Sequence, residues 1–337
     1  MDGSAPLSLF IDPAATTDAI AHAIRDQVAA TLRRRGAVVA LSGGVDSSVC
    51  AGLAVRALGA ERVLGLAMPE RESDPRSLEL AREWAQKLGI ELVVEDVTAI
   101  LEACGCYRRR DDAVRRVVPE FGPGWGMKVA IPGLDGGRLN VTRLVVRSPD
   151  GEQRTERLPA DVYREIVAAS SFKQRARKMM EYHHADRLHY AVVGTPNRLE
   201  YDQGFFVKGG DGLADLKPIA HLYKTQVYAL ARHLGVPDGV ITRPSTTDTY
   251  SLPQTQEEFY FALPAATLDV LLHAHNRGVP PTVAAMRAGV PPPQAAAAYE
   301  DIARKRAATR PLHVTSLLVE PIPEVDAADT HAAAEPG

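Results

Sequence analysis

Ala37-Val38-Val39-Ala40-Leu41-Ser42-Gly43-Gly44-Val45-Asp46-Ser47-Ser48 runs from an apolar stretch through a glycine turn into a helix start. Residues 37–41 have strand character, and residues 49–58, ending at Gly59, carry a helical pattern. A strand, a glycine-rich turn and a helix amino end together make an anion site. Glycines allow close backbone approach, and unpaired N–H groups at the positive end of the helix dipole face the anion. Asp46 offers a hard oxygen ligand inside the loop, so a magnesium ion could bridge it to phosphate oxygens. A plain glycine turn capped by Ser47 would account for one Ser and one Gly. It gives no reason for Ser42, Gly43, Gly44, Asp46, Ser47 and Ser48 in one contiguous run. The G-x-x-x-x-G-K-[ST] pattern of kinases and GTPases does not apply, because its lysine is absent.

Outward from this run, strand and helix alternate at short spacing. Residues 62–69 read as a second, buried strand and 91–97 as a third strand, with a helix over 77–88 between them. Residues 19–34 read as a first helix preceded by capping residues. The pattern predicts an α/β fold, a doubly wound parallel sheet with helices on both faces. Ligands on such sheets bind at the carboxyl ends of the strands, where Ser42 to Ser48 would lie.

Residues 107–170 break the alternation. Arg108-Arg109-Arg110-Asp111-Asp112 reads as a solvated face. Short strands are expected at 128–132, 139–148 and 153–158, with turns at 134–137 and 149–151. The expectation is a small β meander inserted into one α/β domain spanning residues 1–320, packed over the acceptor site as part of its wall. Regular order resumes with a helix over 172–189 and a strand at 190–193. Helical segments follow at about 264–277, 282–288 and 293–309. The stretch 321–337 is rich in Ala, Pro and acidic residues, lacks periodicity and is expected to be disordered.

The whole chain bounds the possibilities. It has 337 residues, 45% hydrophobic and 24% charged, which suits a globular protein with a substantial core. A formal net charge of −3 gives no electrostatic reason to expect nucleic acid as a partner. Cys50, Cys104 and Cys106 do not form a secreted disulfide framework, and no second pair completes a metal site around Cys104-Gly-Cys106. Reduced thiols and a cytoplasmic location are therefore expected, with no membrane partner, since no apolar run approaches the ~20 residues that span a bilayer. His183 and His184 lack a metal-spaced partner and are expected to be structural or exposed.

The loop resembles the pyrophosphate-binding loop of the ATP pyrophosphatase superfamily, which cleaves ATP between the α and β phosphates. A second block then points to one family. Arg175-x-Arg177, Gly194-Thr195-x-Asn197-x-x-Glu200, Gly204-Phe205-Phe206-x-Lys208, Gly210-Asp211-Gly212, Asp215-x-x-Pro218, Leu222-x-Lys224-Thr225-x-Val227 and Thr246-x-Asp248 follow one another in an order that resembles NAD synthase. Met68-Pro69 with Ser77 fits the same pattern. The resemblance covers residues 37–105 and 172–255, with a weaker echo near Arg304-Lys305.

The resemblance implies an adenine nucleotide alpha hydrolase-like fold with a C-terminal helical segment. The implied enzyme adenylates the carboxylate of deamido-NAD, and ammonia then displaces AMP. It implies ATP as co-substrate and Mg2+ as cofactor, with Ser42, Gly43, Gly44, Val45, Asp46, Ser47 and Ser48 holding phosphates. Asp46 and Glu200 are implied as the metal-binding carboxylates. Thr195, Lys224 and Thr246 are implied ATP contacts, with Asp46, Glu200 and Lys224 the catalytic set. Arg175, Lys208, Asp215, Arg304 and Lys305 are implied to hold the dinucleotide. A homodimer is implied too, and residues 1–36 are too few for a glutaminase, so ammonia would be free or supplied by a separate amidotransferase.

Plainer alternatives stand beside these roles: Glu200 as an ordinary helix-start acid, Lys224 as a solvated helix lysine, and Arg304-Lys305-Arg306 as a charged surface run. Where the family has Phe-Thr-Lys-Tyr-Gly-Asp, this chain has Phe206-Val207-Lys208-Gly209-Gly210-Asp211. That departure leaves open the same chemistry on a different carboxylate, or a non-catalytic nucleotide-binding protein.

Overall fold

The structure is a computed structural model that describes residues 8–131, 142–246 and 249–322. Along the chain, α1 (Pro13–Asp26) leads to β1 (Ala37–Ala40), α2 (Val45–Leu58), β2 (Val63–Ala67), α3 (Pro75–Leu88) and β3 (Glu91–Val94). Next come α4 (Thr98–Ala103), α5 (Cys106–Arg115), β4 (Gly126–Ala130), β5 (Arg143–Arg147), β6 (Gln153–Arg157) and α6 (Ala160–Leu188). The chain returns through β7 (Ala191–Val193), α7 (Arg198–Gln203), α8 (Lys224–His233) and α9 (Asp238–Ile241). It ends on α10 (Ala265–Asn276), α11 (Pro281–Ala288) and α12 (Pro292–His313).

One parallel sheet carries the order β3-β2-β1-β7. β1, β2 and β7 are apolar on both faces, as a sheet covered by helices on each side requires, while the edge strand β3 leaves Glu91 and Val94 exposed. The period of two sorts them. Ala37 and Val39 pack with Ala191 and Val193 against the helices α1, α2, α3 and α8. Val38, Leu64, Leu66 and Val192 point the other way, toward α4, α5 and α6. The expected doubly wound sheet is therefore present, and β1 feeds its loop directly into α2 at the carboxyl edge.

The second sheet is an antiparallel meander, β4-β5-β6. Its last turn is the one read at Pro149-Asp150-Gly151: Ser148 and Glu152 pair across it, and Gly151 takes φ 92°. The turn read at 134–137 lies outside the described residues. The span 107–170 is less β-rich than its sequence suggests, because helices form both its ends. α5 occupies Arg108 to Asp112, supported by Arg108–Asp112 and Arg115–Asp112 pairs at helical spacing. Arg110 is buried, not solvated, because its guanidinium forks onto Glu72 at 2.6 and 2.9 Å.

The helix expected from 172 begins at Ala160 and runs unbroken to Leu188. Its first turns, with Val162 and Ile166, pack on Met127, Leu144 and Val146 of the meander. Its later turns, with Ala176 and Ala185, pack on the parallel sheet. Residues 323–337, most of the expected disordered tail, lie outside the described residues. Among the described residues no helix is long and apolar enough to cross a membrane.

Leu144 is fully buried between the meander and α6. Leu144→Ala should therefore cost about 2–5 kcal/mol in denaturant unfolding, the usual range for a core leucine.

Candidate active site

The turn after β1 is shaped by close approach. Gly43 takes φ 72°, and a Cβ there would stand 2.5 Å from the Ser77 carbonyl oxygen on α3. Gly44 caps α2 without any side-chain hydrogen bond to the first turn. The serine hydroxyls are spent on the loop itself. Ser47 and Ser48 donate to the Gly44 carbonyl at 3.0 and 2.9 Å, and Ser42 and Ser47 hydroxyls lie 3.1 Å apart. The open amino end of a 14-residue helix is thus presented by a fixed turn, which is the anion-binding arrangement.

Asp46 sits in the first turn of α2 and accepts from Lys224 Nζ and from Asn197 Nδ2, the latter at 3.1 Å. Asn197 is the pivot. Its Oδ1 accepts from the Leu199 and Glu200 amides, and Glu200 Oε2 accepts from the Asn197 amide at 3.1 Å. Glu200 is therefore a helix-start acid in a capping box, as its plainer reading had it. It is also buried beside Asp46, and its other oxygen accepts from Gln256 at 2.8 Å. Burial and the Asp46 charge push the Glu200 pKa upward. Lys224 is 2% exposed, not a solvated helix lysine. Burial works against its ammonium, but Asp46 and Glu200 outweigh it and raise its pKa. Asp269 on α10 fixes the start of α8 by accepting from the Lys224 and Thr225 amides at 3.2 and 2.7 Å.

Asp46 and Glu200 border a cavity of about 710 Å3, within the ordinary size range of small-molecule sites, while Lys224 and Asn197 stand behind them. Ser42, Gly44, Val45, Asp46 and Ser47 line it, with Thr195, Glu200 and Thr246. Phe205, Phe259, Tyr260, Tyr250 and Tyr163 form an aromatic wall, in which Phe205 stacks on Tyr260 with centroids 4.8 Å apart. Tyr163, Val167 and Ser170 come from the span 107–170, through the first turns of α6; the meander strands stand behind them.

The implied dinucleotide residues are placed differently. Arg175 is exposed and donates to the Lys208 carbonyl, whereas Arg177, two residues on, lines the cavity and donates to the Met68 carbonyl. Lys208 Nζ turns away to the Pro311 and Val314 carbonyls. Asp215 accepts from the Val192 amide and Tyr182. Arg304 pairs with Asp301 at the surface, and Lys305 binds Asp301 and the Tyr260 carbonyl. None of these five lines the cavity. Gln256 and Arg243, absent from the sequence reading, do line it, and Arg243 bridges to Asp74 and Ser77 at 2.9 Å. Arg243 lies in an irregular segment and Gln256 at the start of a short helical turn, Glu257–Phe261, too brief for a periodic signal. His184 pairs with Glu95 and is structural.

An open helix amino end facing a cavity beside two carboxylates and a buried lysine places the chain among the α/β proteins whose ligand site lies at the carboxyl edge of the sheet. The sequence model of the NAD synthase family matches residues 16–116 and 150–307, and the chain belongs to that family. The gap between the two matched stretches contains β4 and β5. An NH(3)-dependent NAD(+) synthetase of Rhizobium rhizogenes is 57% identical over 316 residues, covering 94% of this chain and 95% of its own length. Among solved structures, NMN synthetase from Francisella tularensis superposes with a TM-score of 0.60 at 22% identity, covering 92% of this chain and 99% of its own. The NH3-dependent NAD synthetase from Campylobacter jejuni also gives 0.60, at 20% identity, with 92% and 100% covered. At such identities the two structures attest the fold.

Asn197 joins helix capping to the support of Asp46. Asn197→Ser should keep the cap and near-normal thermal stability while losing the donor to Asp46. The expected fall in kcat/KM is about 10–100-fold, the scale of one hydrogen bond to a charged group.

Proposed function

We propose that this chain makes NAD from deamido-NAD, ATP and ammonia, releasing AMP and pyrophosphate. The observation that carries the reading is the Asp46–Lys224–Glu200 cluster at the mouth of a phosphate loop, beside a cavity with an aromatic wall. The close relative from Rhizobium rhizogenes supports the same reaction. A carboxylate is a poor electrophile. Its oxygen attacks the α-phosphorus, the bond to pyrophosphate breaks, and the acyl adenylate carries a good leaving group. Ammonia then attacks the carbonyl carbon, AMP departs and a proton is released.

This chain's residues meet the needs of that path. The amino end of α2 and the Ser42–Ser48 turn receive phosphate charge, and Lys224 neutralises what develops on pyrophosphate. Thr195 and Thr246 contact ATP from the cavity wall. Arg177, which lines the cavity, is a better-placed dinucleotide contact than Arg175. Asp46 and Glu200 fit a magnesium ion: they are hard oxygen donors, close enough that the charge of one raises the pKa of the other. No group of three or more His, Cys, Asp or Glu gathers among the described residues, so phosphate oxygens and water would complete the shell. Bound there, the ion would screen the triphosphate and polarise the α-phosphate. The reading further takes the enzyme as a cytoplasmic homodimer, with the exposed apolar Met179 and Leu213 as surface an assembly would cover.

Incubation with ATP, Mg2+, ammonium and deamido-NAD should yield NAD, AMP and pyrophosphate by mass spectrometry. Nicotinic acid mononucleotide offered in competition should remain the poorer acceptor, and glutamine should not replace ammonium. ADP as the main product would refute the reading. Asp46→Asn and Glu200→Gln should each lower kcat at least ~100-fold with the fold retained, the scale of losing a main electrostatic stabiliser.

The raised Glu200 pKa gives a pH dependence with a definite sign. A carboxyl held protonated must lose its proton before it ligates a cation, so Mg2+ affinity should rise with pH from about 6 to about 8. Mg2+ titrations across that range, followed by calorimetry with ATP present, should show the steeper dependence in wild type than in Glu200→Gln.

A further inference from the structure

A second charged cluster lies buried outside the phosphate site, and none of the chemistry above uses it. Lys173, on α6, has a side chain only 1% exposed. Its Nζ donates to Glu70 Oε1 at 2.8 Å, to Glu72 Oε2 at 2.8 Å and to the Thr249 carbonyl at 2.9 Å. Glu70 also accepts from Tyr107 Oη at 2.7 Å and from the Glu72 amide at 3.0 Å. Glu72 takes the Arg110 fork as well. Burial works against the Glu72 carboxylate, yet Arg110 and Lys173 hold its pKa down at about 2, so Glu72 stays ionised.

An ammonium has three N–H groups and no acceptor. Two of the three Lys173 partners are anchored in the loop that leaves β2, which α5 holds through Tyr107 and Arg110. The third is a main-chain carbonyl in the segment that carries Thr246. Thr249 and Tyr250 of that segment line the cavity, as does Glu70. The segment is tied at its start by Arg243 to Asp74 and Ser77, and at its end by Gln256 to Glu200. Between those ties β4 holds Ser251, Leu252 and Gln254, and Lys173 holds Thr249 on the other side of Tyr250. If Thr249 moved off, one N–H of a fully buried cation would lose its acceptor, which is costly where water cannot replace it.

We propose that Lys173 is a positioning residue for the amidation, holding Thr249 and Tyr250 in the cavity wall through the Thr249 carbonyl. The inference rests on the NAD synthase reading above. Its consequence concerns water. A wall that shifts admits water to the acyl adenylate, and hydrolysis then returns the free acid and AMP without forming the amide.

The test measures amide formed per AMP released, and the KM for ATP, in the full chain. Lys173→Met should lower the ratio about 10-fold or more, because a displacement of about 1 Å can cost about 100-fold in a positioned reaction. Tyr107→Phe and Arg110→Met damage the same cluster without touching Thr249, and should keep the ratio within about twofold of wild type. Should Lys173→Met fail to fold, Glu72→Gln/Lys173→Met removes opposite charges together and carries the same test. A fully coupled Lys173 variant overturns the inference, and so does an equal fall in all three single variants, which would mark a merely structural cluster. A wild type that makes no amide removes the parent reading and this inference with it. A wild type that makes it beside a fully coupled Lys173→Met removes this inference alone.

Discussion

The contact between Lys224 and Asp46 joins parts of the chain 178 residues apart and sets the geometry of the site. Neither group belongs in a protein interior by itself, since an unpaired buried charge costs several kcal/mol. Each is kept there by the other, and the elements bearing them are held to match. α2 is aimed by the Gly43 approach to Ser77, and α8 by Asp269 at its amino end. Asn197 adds the third anchor by donating to Asp46 while organising Glu200. The carboxyl ends of β1 and β7 and the helices α2, α7, α8 and α10 thereby converge on this cluster of carboxylate and ammonium. A phosphate bound here, as proposed, would meet a field already assembled, which is how electrostatic preorganisation lowers a barrier.

α6 has the second organising role. It is one helix with two different jobs along its length. Its first turns pack on the antiparallel meander and contribute Tyr163, Val167 and Ser170 to the cavity. Its later turns cover the parallel sheet with Ala176 and Ala185 and place Arg177 at the cavity. Lys173 lies at the changeover. The meander acts through this helix and through Tyr250 and Phe259, which pack on its core while facing the cavity. Among the described residues, the meander thus borders the cavity through its neighbours without sending a strand into it.

The sequence was most legible where local chemistry and long-range position coincide. The apolar runs at β1, β2 and β7, alternating with helical patterns, read as buried strands of a covered parallel sheet, while β3 at the edge is only half-buried. Ser42 to Ser48 could be read as a phosphate turn because strand, turn and helix start are contiguous. Arg110 misled for a physical reason: a charged run looks solvated until a distant Glu72 supplies the partner that makes burial tolerable. The start of α6 was missed because Ala160 to Ser171 continues a helix whose apolar positions face a different neighbour from those of Phe172 onward.

By itself the sequence determined the fold class, the strand–turn–helix at Ser42 to Ser48, and Asp46, Glu200 and Lys224 as candidates that the structure brings together. These follow from periodicity and from residue type within short windows. Only the tertiary structure decided which charges face the cavity and which brace the frame. Arg175 and Arg177 are both arginines on one helix, yet one is exposed and the other enters the cavity. Lys208, Asp215 and Lys305 look like ligand contacts in a motif but spend their hydrogen bonds on carbonyls, an amide, a tyrosine hydroxyl and a helix aspartate. A side chain's partner is set by what packs across from it, and that is fixed by contacts between segments far apart in the chain.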